Sequence, residues 1–173
     1  MSTRLAAQRV PCVFLDRDGV INEDTGYVHR PVDFRWMPGM PEAIKLFNDA
    51  GWLVIVITNQ SGIGRGRFSE TEFLAFTRWI DGELAAIGAH VDATYHCPHH
   101  ATAAQGEYLR ACECRKPAPG MLLRAIEEWR PDLARSVMIG DKPSDMEAAT
   151  AAGVRGILYD GGDLSALARE LIG

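Results

Sequence analysis

Short apolar runs alternate along this chain with longer stretches in which apolar residues return every three or four positions. The runs cover residues 13–15, 52–57, 93–95, 137–139 and 156–159. The periodic stretches cover 41–50, 69–87, 120–129 and 144–152. Runs that are apolar throughout predict strands buried on both faces, and the three-to-four spacing predicts helices. Ser69 followed by Glu72 predicts a capping box at the start of the second helix. Gly51, Gly88 and Gly153 stand where helices should stop. Strand and helix in alternation predict an α/β fold with a mostly parallel sheet, whose ligands bind beyond the carboxyl ends of the strands. The polar clusters stand where that rule asks. DRDG follows the first run, TNQSG the second and GDKPSD the fourth, while CRKP stands just before the third helix.

The 173 residues suffice for one domain with a sizeable core. No repeat, low-complexity segment or linker divides them, so a single domain over 1–173 is expected, with residues 1–10 flexible. A net charge of -5 argues against nucleic acid or an anionic membrane as the main partner. The opening MSTRLAAQRVPC has no apolar core of signal-peptide length, and WLVIVI is too short to span a bilayer. The cytoplasm is therefore the expected location.

Asp16 and Asp18 end the first run with like charges two residues apart, a spacing that can turn both toward one side. Asp141 and Asp145 follow another strand end. Carboxylates converging on one sheet edge repel unless a cation compensates, and oxygen ligands of this kind suit Mg²⁺. Thr58 and Asn59 add a hydroxyl and an amide, and Lys116 adds a positive charge at the same edge. GIGRG, behind Asn59, does not match the dinucleotide fingerprint and reads as a flexible connection to the helix that Ser69 opens. Phosphate monoester hydrolysis needs this set, because a dianionic ester repels an approaching anion until its charge is neutralised. A glycosyltransferase with a D-x-D metal site is the competing enzyme class, but it gives Lys116 and Asp141 no purpose. A non-enzymatic zinc-loop binding protein would leave Asp16 without one.

DRDGV, TN, the lysine of CRKP, and GDKPSD together resemble, in order, the four motifs of the haloacid dehalogenase (HAD) superfamily of phosphatases. The resemblance implies a Rossmannoid three-layer sandwich with a minimal cap. It implies Asp16 as nucleophile, Asp18 as general acid and base, and Thr58 and Lys116 holding the phosphoryl oxygens. It implies Mg²⁺ on Asp16, the Asp18 carbonyl and Asp141, with Asp145 in outer support. DRDGVINEDTGYVHRPVDF, TNQSGIGRGRFSE, CPHH, CECRKPAPGM and GDKPSDMEAA are similar, more narrowly, to the D-glycero-D-manno-heptose 1,7-bisphosphate 7-phosphatase family. That likeness implies a phosphorylated sugar as substrate, touched by Asp24, Thr25, Gly26, Tyr27, Asn59, Gln60, Ser61, Arg115 and Lys142. Arg115 would grip a second phosphate, since a guanidinium fork matches phosphate geometry. Histidinol phosphatases share the aspartates, TNQ and a similar cysteine loop, so histidinol phosphate or a broader set of sugar phosphates is the alternative substrate. A compact phosphatase without a lid is expected to be a monomer.

Three of the four cysteines crowd with histidines between 97 and 114. Cys97, His99, Cys112 and Cys114 make a three-sulfur, one-nitrogen set suited to Zn²⁺, with His100 as the alternative nitrogen ligand. The narrower family has the same four ligands. Four protein ligands leave no place for water, so the zinc would be structural and would pin the loop that carries Arg115 and Lys116. Cys12 reads as a small core residue.

Overall fold

The computed structural model describes residues 9–173, and most of the segment expected to be flexible lies outside them. Five parallel strands form one sheet in the order β3-β2-β1-β4-β5. They are β1 (Cys12–Leu15), β2 (Leu53–Asn59), β3 (Ala93–Cys97), β4 (Val137–Gly140) and β5 (Arg155–Leu158). The helices are α1 (Met40–Asp49), α2 (Ser61–Gly64), α3 (Glu70–Ala85), α4 (Gly120–Trp129), α5 (Pro143–Ala151) and α6 (Leu164–Ile172).

Alternation along the strands sorts the core into two layers. Val13 and Leu15 face one way with Val54, Val56, Val137 and Ile139, and pack on Ile44 and Phe47 of α1, Phe76 of α3 and Leu164 of α6. Cys12 and Phe14 face the other way with Ile55, Ile57 and Met138, and pack on Leu122 of α4 and Ala148 of α5. Helices on both faces keep every β1 side chain dry, which is why that strand carries no polar residue before Asp16. The capping box at Ser69 forms as the sequence predicts: Ser69 Oγ accepts the Glu72 N–H, and Glu72 accepts the Ser69 N–H.

Strand order reverses between β1 and β4, and such a reversal opens a crevice at the carboxyl ends of the strands. Asp16 leaves β1 at this point, and Asp141 follows β4 at the same point. Between β1 and α1, residues 16–39 hold only a 3-10 turn, Pro31–Asp33, and isolated bridges such as Asp18 to Asn22. No folded lid stands there.

Two elements differ from the sequence reading. GIGRG is not a loose connection, because its first half is the helical turn α2. A Cβ on Gly62 would lie 2.3 Å from the Phe68 ring, and one on Gly64 would lie 2.4 Å from the Pro98 carbonyl oxygen. The glycines are there for close approach. Helix α6 stands outside the predicted helices; Asp163 caps it by accepting the N–H groups of Ser165 and Ala166, and it packs on α1. Among the described residues no helix is long and apolar enough to cross a membrane.

Candidate active site

Asp16 is anchored at the strand end by its own N–H, which donates to the Ile139 carbonyl 3.0 Å away. Its carboxylate meets Lys116, brought in from the approach to α4. The Lys116 ammonium donates to Asp16 Oδ1 at 2.9 Å and to the Ile57 carbonyl at 2.8 Å, and it lies 2.6 Å from Asp145 Oδ1. The ammonium thus makes two hydrogen bonds and a close ion pair, inside a site where Lys116 is only 4% exposed. Removing one partner of such a buried pair costs about 3–5 kcal/mol, because the other charge is left alone. The position of Lys116 is set by β2: Asn59 Oδ1 accepts the Lys116 N–H and Asn59 Nδ2 donates to the Lys116 carbonyl, both at 3.0 Å.

Asp141 approaches from β4, over Gly19. That glycine holds φ 94°, and a Cβ on it would stand 2.2 Å from Asp141 Oδ2, so conformation and space both require glycine. Asp16, Asp141 and Asp145 each bring a carboxylate oxygen within 4.8 Å of the others. Burial pushes the Asp16 carboxyl up to about 7, with Lys116 opposing the rise. Burial also raises Asp141. Asp141 Oδ1 is buried and has no partner among the protein groups. Three carboxylates against one ammonium, with an unpartnered oxygen aimed inward, fit a divalent cation.

Asp18 points from the same turn and is held by three side chains. Arg17 Nη2 donates to both of its oxygens, Asn22 Nδ2 donates to Oδ1 at 3.0 Å, and Gln60 Nε2 donates to Oδ2 at 2.9 Å. Gln60 Nε2 also reaches Thr58 Oγ1 at 2.9 Å, so the buried threonine hydroxyl is oriented from the same side. On the outer wall Lys142 pairs with Asp24 at 3.1 Å and lies 4.0 Å from Asp141. Asp145 Oδ2 accepts the Lys142 N–H, which together with Lys116 occupies both of its oxygens.

These groups surround a cleft of about 630 Å³. Of the residues singled out in the sequence, Asp16, Asp18, Asp24, Gly26, Tyr27, Asn59, Gln60, Ser61, Arg115, Lys116, Lys142 and Asp145 line it. Thr58 adjoins it through Gln60, and Asp141 through Lys142. Thr25 does not reach it. Asp24 Oδ1 accepts the Gly26 N–H in a tight turn, Gly26 and Tyr27 take left-handed φ, and Thr25 faces a separate groove beside His29 and Arg67. Asn59 touches the cleft, yet its amide is committed to the Lys116 peptide, which makes it a support. Arg17 and Asn22 carry no role in the sequence reading. Arg17 stands between the two aspartates, the one cue that could have drawn notice, whereas Asn22 offers no periodic signal.

The cysteine and histidine side chains converge at the end of β3. Cys97, His99, Cys112 and Cys114 place one ligand atom each within 4.8 Å of the rest, with Sγ to Nδ1 distances of 3.6 Å from Cys97 and 3.4 Å from Cys114. A metal could sit among them. His100 is outside this group, and its Nδ1 accepts the N–H groups of Thr102 and Ala103 instead. Arg115 follows Cys114 directly and donates to the His99 carbonyl at 3.3 Å, which ties the cleft rim to the cluster.

Comparison with known proteins agrees with this geometry. A HAD-hydrolase-like family model matches residues 113–170. The D-glycero-β-D-manno-heptose-1,7-bisphosphate 7-phosphatase of Rhodopseudomonas palustris is 46% identical over 167 residues, covering 96% of this chain and 93% of that protein. The protein of the same name in Vibrio cholerae is 52% identical over 144 residues, covering 83% of this chain and 77% of that one. A crystal structure of D,D-heptose 1,7-bisphosphate phosphatase from B. bronchiseptica, complexed with magnesium and phosphate, superposes with a TM-score of 0.82 at 33% identity, covering 94% of this chain and 98% of that one. With identity of this level over most of its length, the chain belongs to the D-glycero-β-D-manno-heptose-1,7-bisphosphate 7-phosphatase family of HAD-like phosphatases.

Proposed function

We propose that this phosphatase removes the C7 phosphate of D-glycero-D-manno-heptose 1,7-bisphosphate through a phosphoryl group carried on Asp16. The observation that carries this reading is the gathering of Asp16, Asp141 and Asp145 around Lys116, with Asp18 separately pinned beside them. Asp16 and Asp141, with the main-chain carbonyl of Asp18, would hold Mg²⁺; Asp145, its oxygens already engaged, would support from behind. The ion would supply positive charge opposite the phosphoryl oxygens and the Asp16 carboxylate.

The protein's own groups then account for both halves of the reaction. A carboxylate oxygen of Asp16 attacks phosphorus, and the bond from phosphorus to the C7 oxygen breaks. Asp18, as the acid, gives its proton to the departing sugar oxygen. In the second half Asp18 takes a proton from water, whose oxygen attacks phosphorus; inorganic phosphate leaves and Asp16 is restored. Thr58 and Lys116 hold the phosphoryl group, the ammonium sharing its charge between Asp16 and the incoming oxygens. Arg115, on the cleft rim, is suited to the second phosphate of a bisphosphate.

In the Cys97, His99, Cys112 and Cys114 cluster we place Zn²⁺ as a structural ion, the ligand set being the kind that prefers it. Such thiols persist in a reducing compartment, which supports a cytoplasmic enzyme.

Phosphate release with Mg²⁺ from both anomers of the heptose bisphosphate and from histidinol phosphate tests the reading, with Asp16→Asn as control. Faster release from the bisphosphate, abolished by the substitution, is expected. Preference for histidinol phosphate would overturn the substrate and leave the chemistry.

A further inference from the structure

Arg17 is 3% exposed and does not line the cleft, yet it carries a full charge in the interior. Its guanidinium carbon lies 5.8 Å from the ring centroid of Phe73 and 5.5 Å from that of Phe76, both on α3. Nη1 is buried there without a hydrogen-bond partner. Such a slot between two rings gives the guanidinium no polar partner of its own, and a buried charge is costly unless it is paired elsewhere. The charge is thus better explained by what it grips. Nη2 donates to Asp18 Oδ1 at 2.9 Å, to Asp18 Oδ2 at 3.0 Å and to the Val28 carbonyl at 2.6 Å.

Val28 closes the segment whose Asp24, Gly26 and Tyr27 form one wall of the cleft. Asn22 does the matching task at the near end: its Nδ2 donates to the Glu23 carbonyl at 2.8 Å and to Asp18 Oδ1 at 3.0 Å. Both ends of that wall are therefore tied to the Asp18 carboxylate, one through an amide and one through a guanidinium braced by aromatic rings. We propose that Arg17 is a positioning residue, fixing the Asp18 carboxyl against the wall that contacts the leaving group so that the proton is delivered to the departing oxygen. This inference rests on Asp18 being the acid. A misplacement of about 1 Å in such a group can lower the rate on the order of 100-fold.

The need for this placement depends on the leaving group. A sugar alkoxide must be protonated as it departs, whereas nitrophenolate leaves without a proton. Single-turnover transfer in the Mg²⁺-loaded enzyme is measured with the heptose bisphosphate and with p-nitrophenyl phosphate, for wild type, Arg17→Met, Arg17→Lys and Asp18→Asn. Arg17→Met is expected to slow sugar release on the order of 100-fold, with KM little changed. The nitrophenolate burst should slow by no more than about threefold, although the melting temperature falls because Asp18 loses its charged partner. Arg17→Lys keeps the charge without the fork, so it should recover only part of the lost rate and also serves if Arg17→Met does not fold. An equal loss with both leaving groups, or an unchanged sugar rate, overturns the proposal. A leaving-group split in Asp18→Asn but not in either Arg17 variant overturns Arg17 alone. No split in Asp18→Asn overturns the assignment of Asp18 beneath it.

Discussion

The strand-end carboxylates and the cysteine–histidine loop lie on one sheet with β2 between them, and they are held in place by different physics. Asp16 and Asp141 are extensions of β1 and β4, strands whose side chains are dry on both faces, and their placement follows from sheet packing. Residues 98–113 have no strand and only one 3-10 turn, Gly106–Tyr108, and most of their side chains are partly or fully exposed. Little apolar area is buried to set the path of that loop beyond Tyr108, so the metal proposed for the four gathered ligand atoms would set much of the rest. The contrast teaches where each kind of failure should appear. Damage to the cluster should loosen the substrate rim and spare the sheet, while damage at the strand ends should remove chemistry and spare the loop.

The largest separation of the two regions should come from Cys114→Ser, or from chelator treatment followed by return of Mg²⁺ alone. Hydrogen exchange across residues 98–113 should accelerate, and KM for the bisphosphate should rise roughly tenfold or more, through the loss of Arg115 from the rim. Exchange in β1 and β4 should stay slow. Equal acceleration in the sheet would show that the cluster supports the whole fold and would break the comparison.

A smaller effect is expected at the join between the regions. Asn59, on the last position of β2, holds both polar atoms of the Lys116 peptide at the far end of the loop. Asn59→Ala removes two hydrogen bonds, worth about 1 kcal/mol each, and frees the lysine backbone. Stability measured by urea unfolding should drop by about 2 kcal/mol, and kcat should fall more than KM rises. A change in KM alone would mean that the amide contacts substrate directly.

How much of this was legible in the sequence follows the same division. Apolar runs give strands, and the strand-end rule then gathers Asp16, Thr58 and Asp141 at one edge without knowledge of the pairing. Helix α6 also left a readable signal, with Asp163 as cap and apolar residues at 164, 167, 168 and 171. The partners that fix the site were not legible, because they depend on tertiary distance. Asn59 and Lys116 are 57 positions apart, and an amide at a strand end reads equally well as a substrate contact. The turn at Gly62 and Gly64 runs against helix propensity and exists because Phe68 and Pro98 leave no room for side chains. Thr25 shows the reverse case: its motif position suggests the cleft, while the local turn sets it in the neighbouring groove beside His29 and Arg67.

The central claim is that Asp16 carries the phosphoryl group. Acid quench of the Mg²⁺-loaded enzyme during turnover of the bisphosphate, followed by peptide mass analysis, tests it most directly. A phosphate-mass increment on the peptide containing Asp16, absent in Asp16→Asn and chased off by time, is the predicted result. Turnover at full rate by Asp16→Asn, or a phosphoryl group found on another residue, would contradict the account.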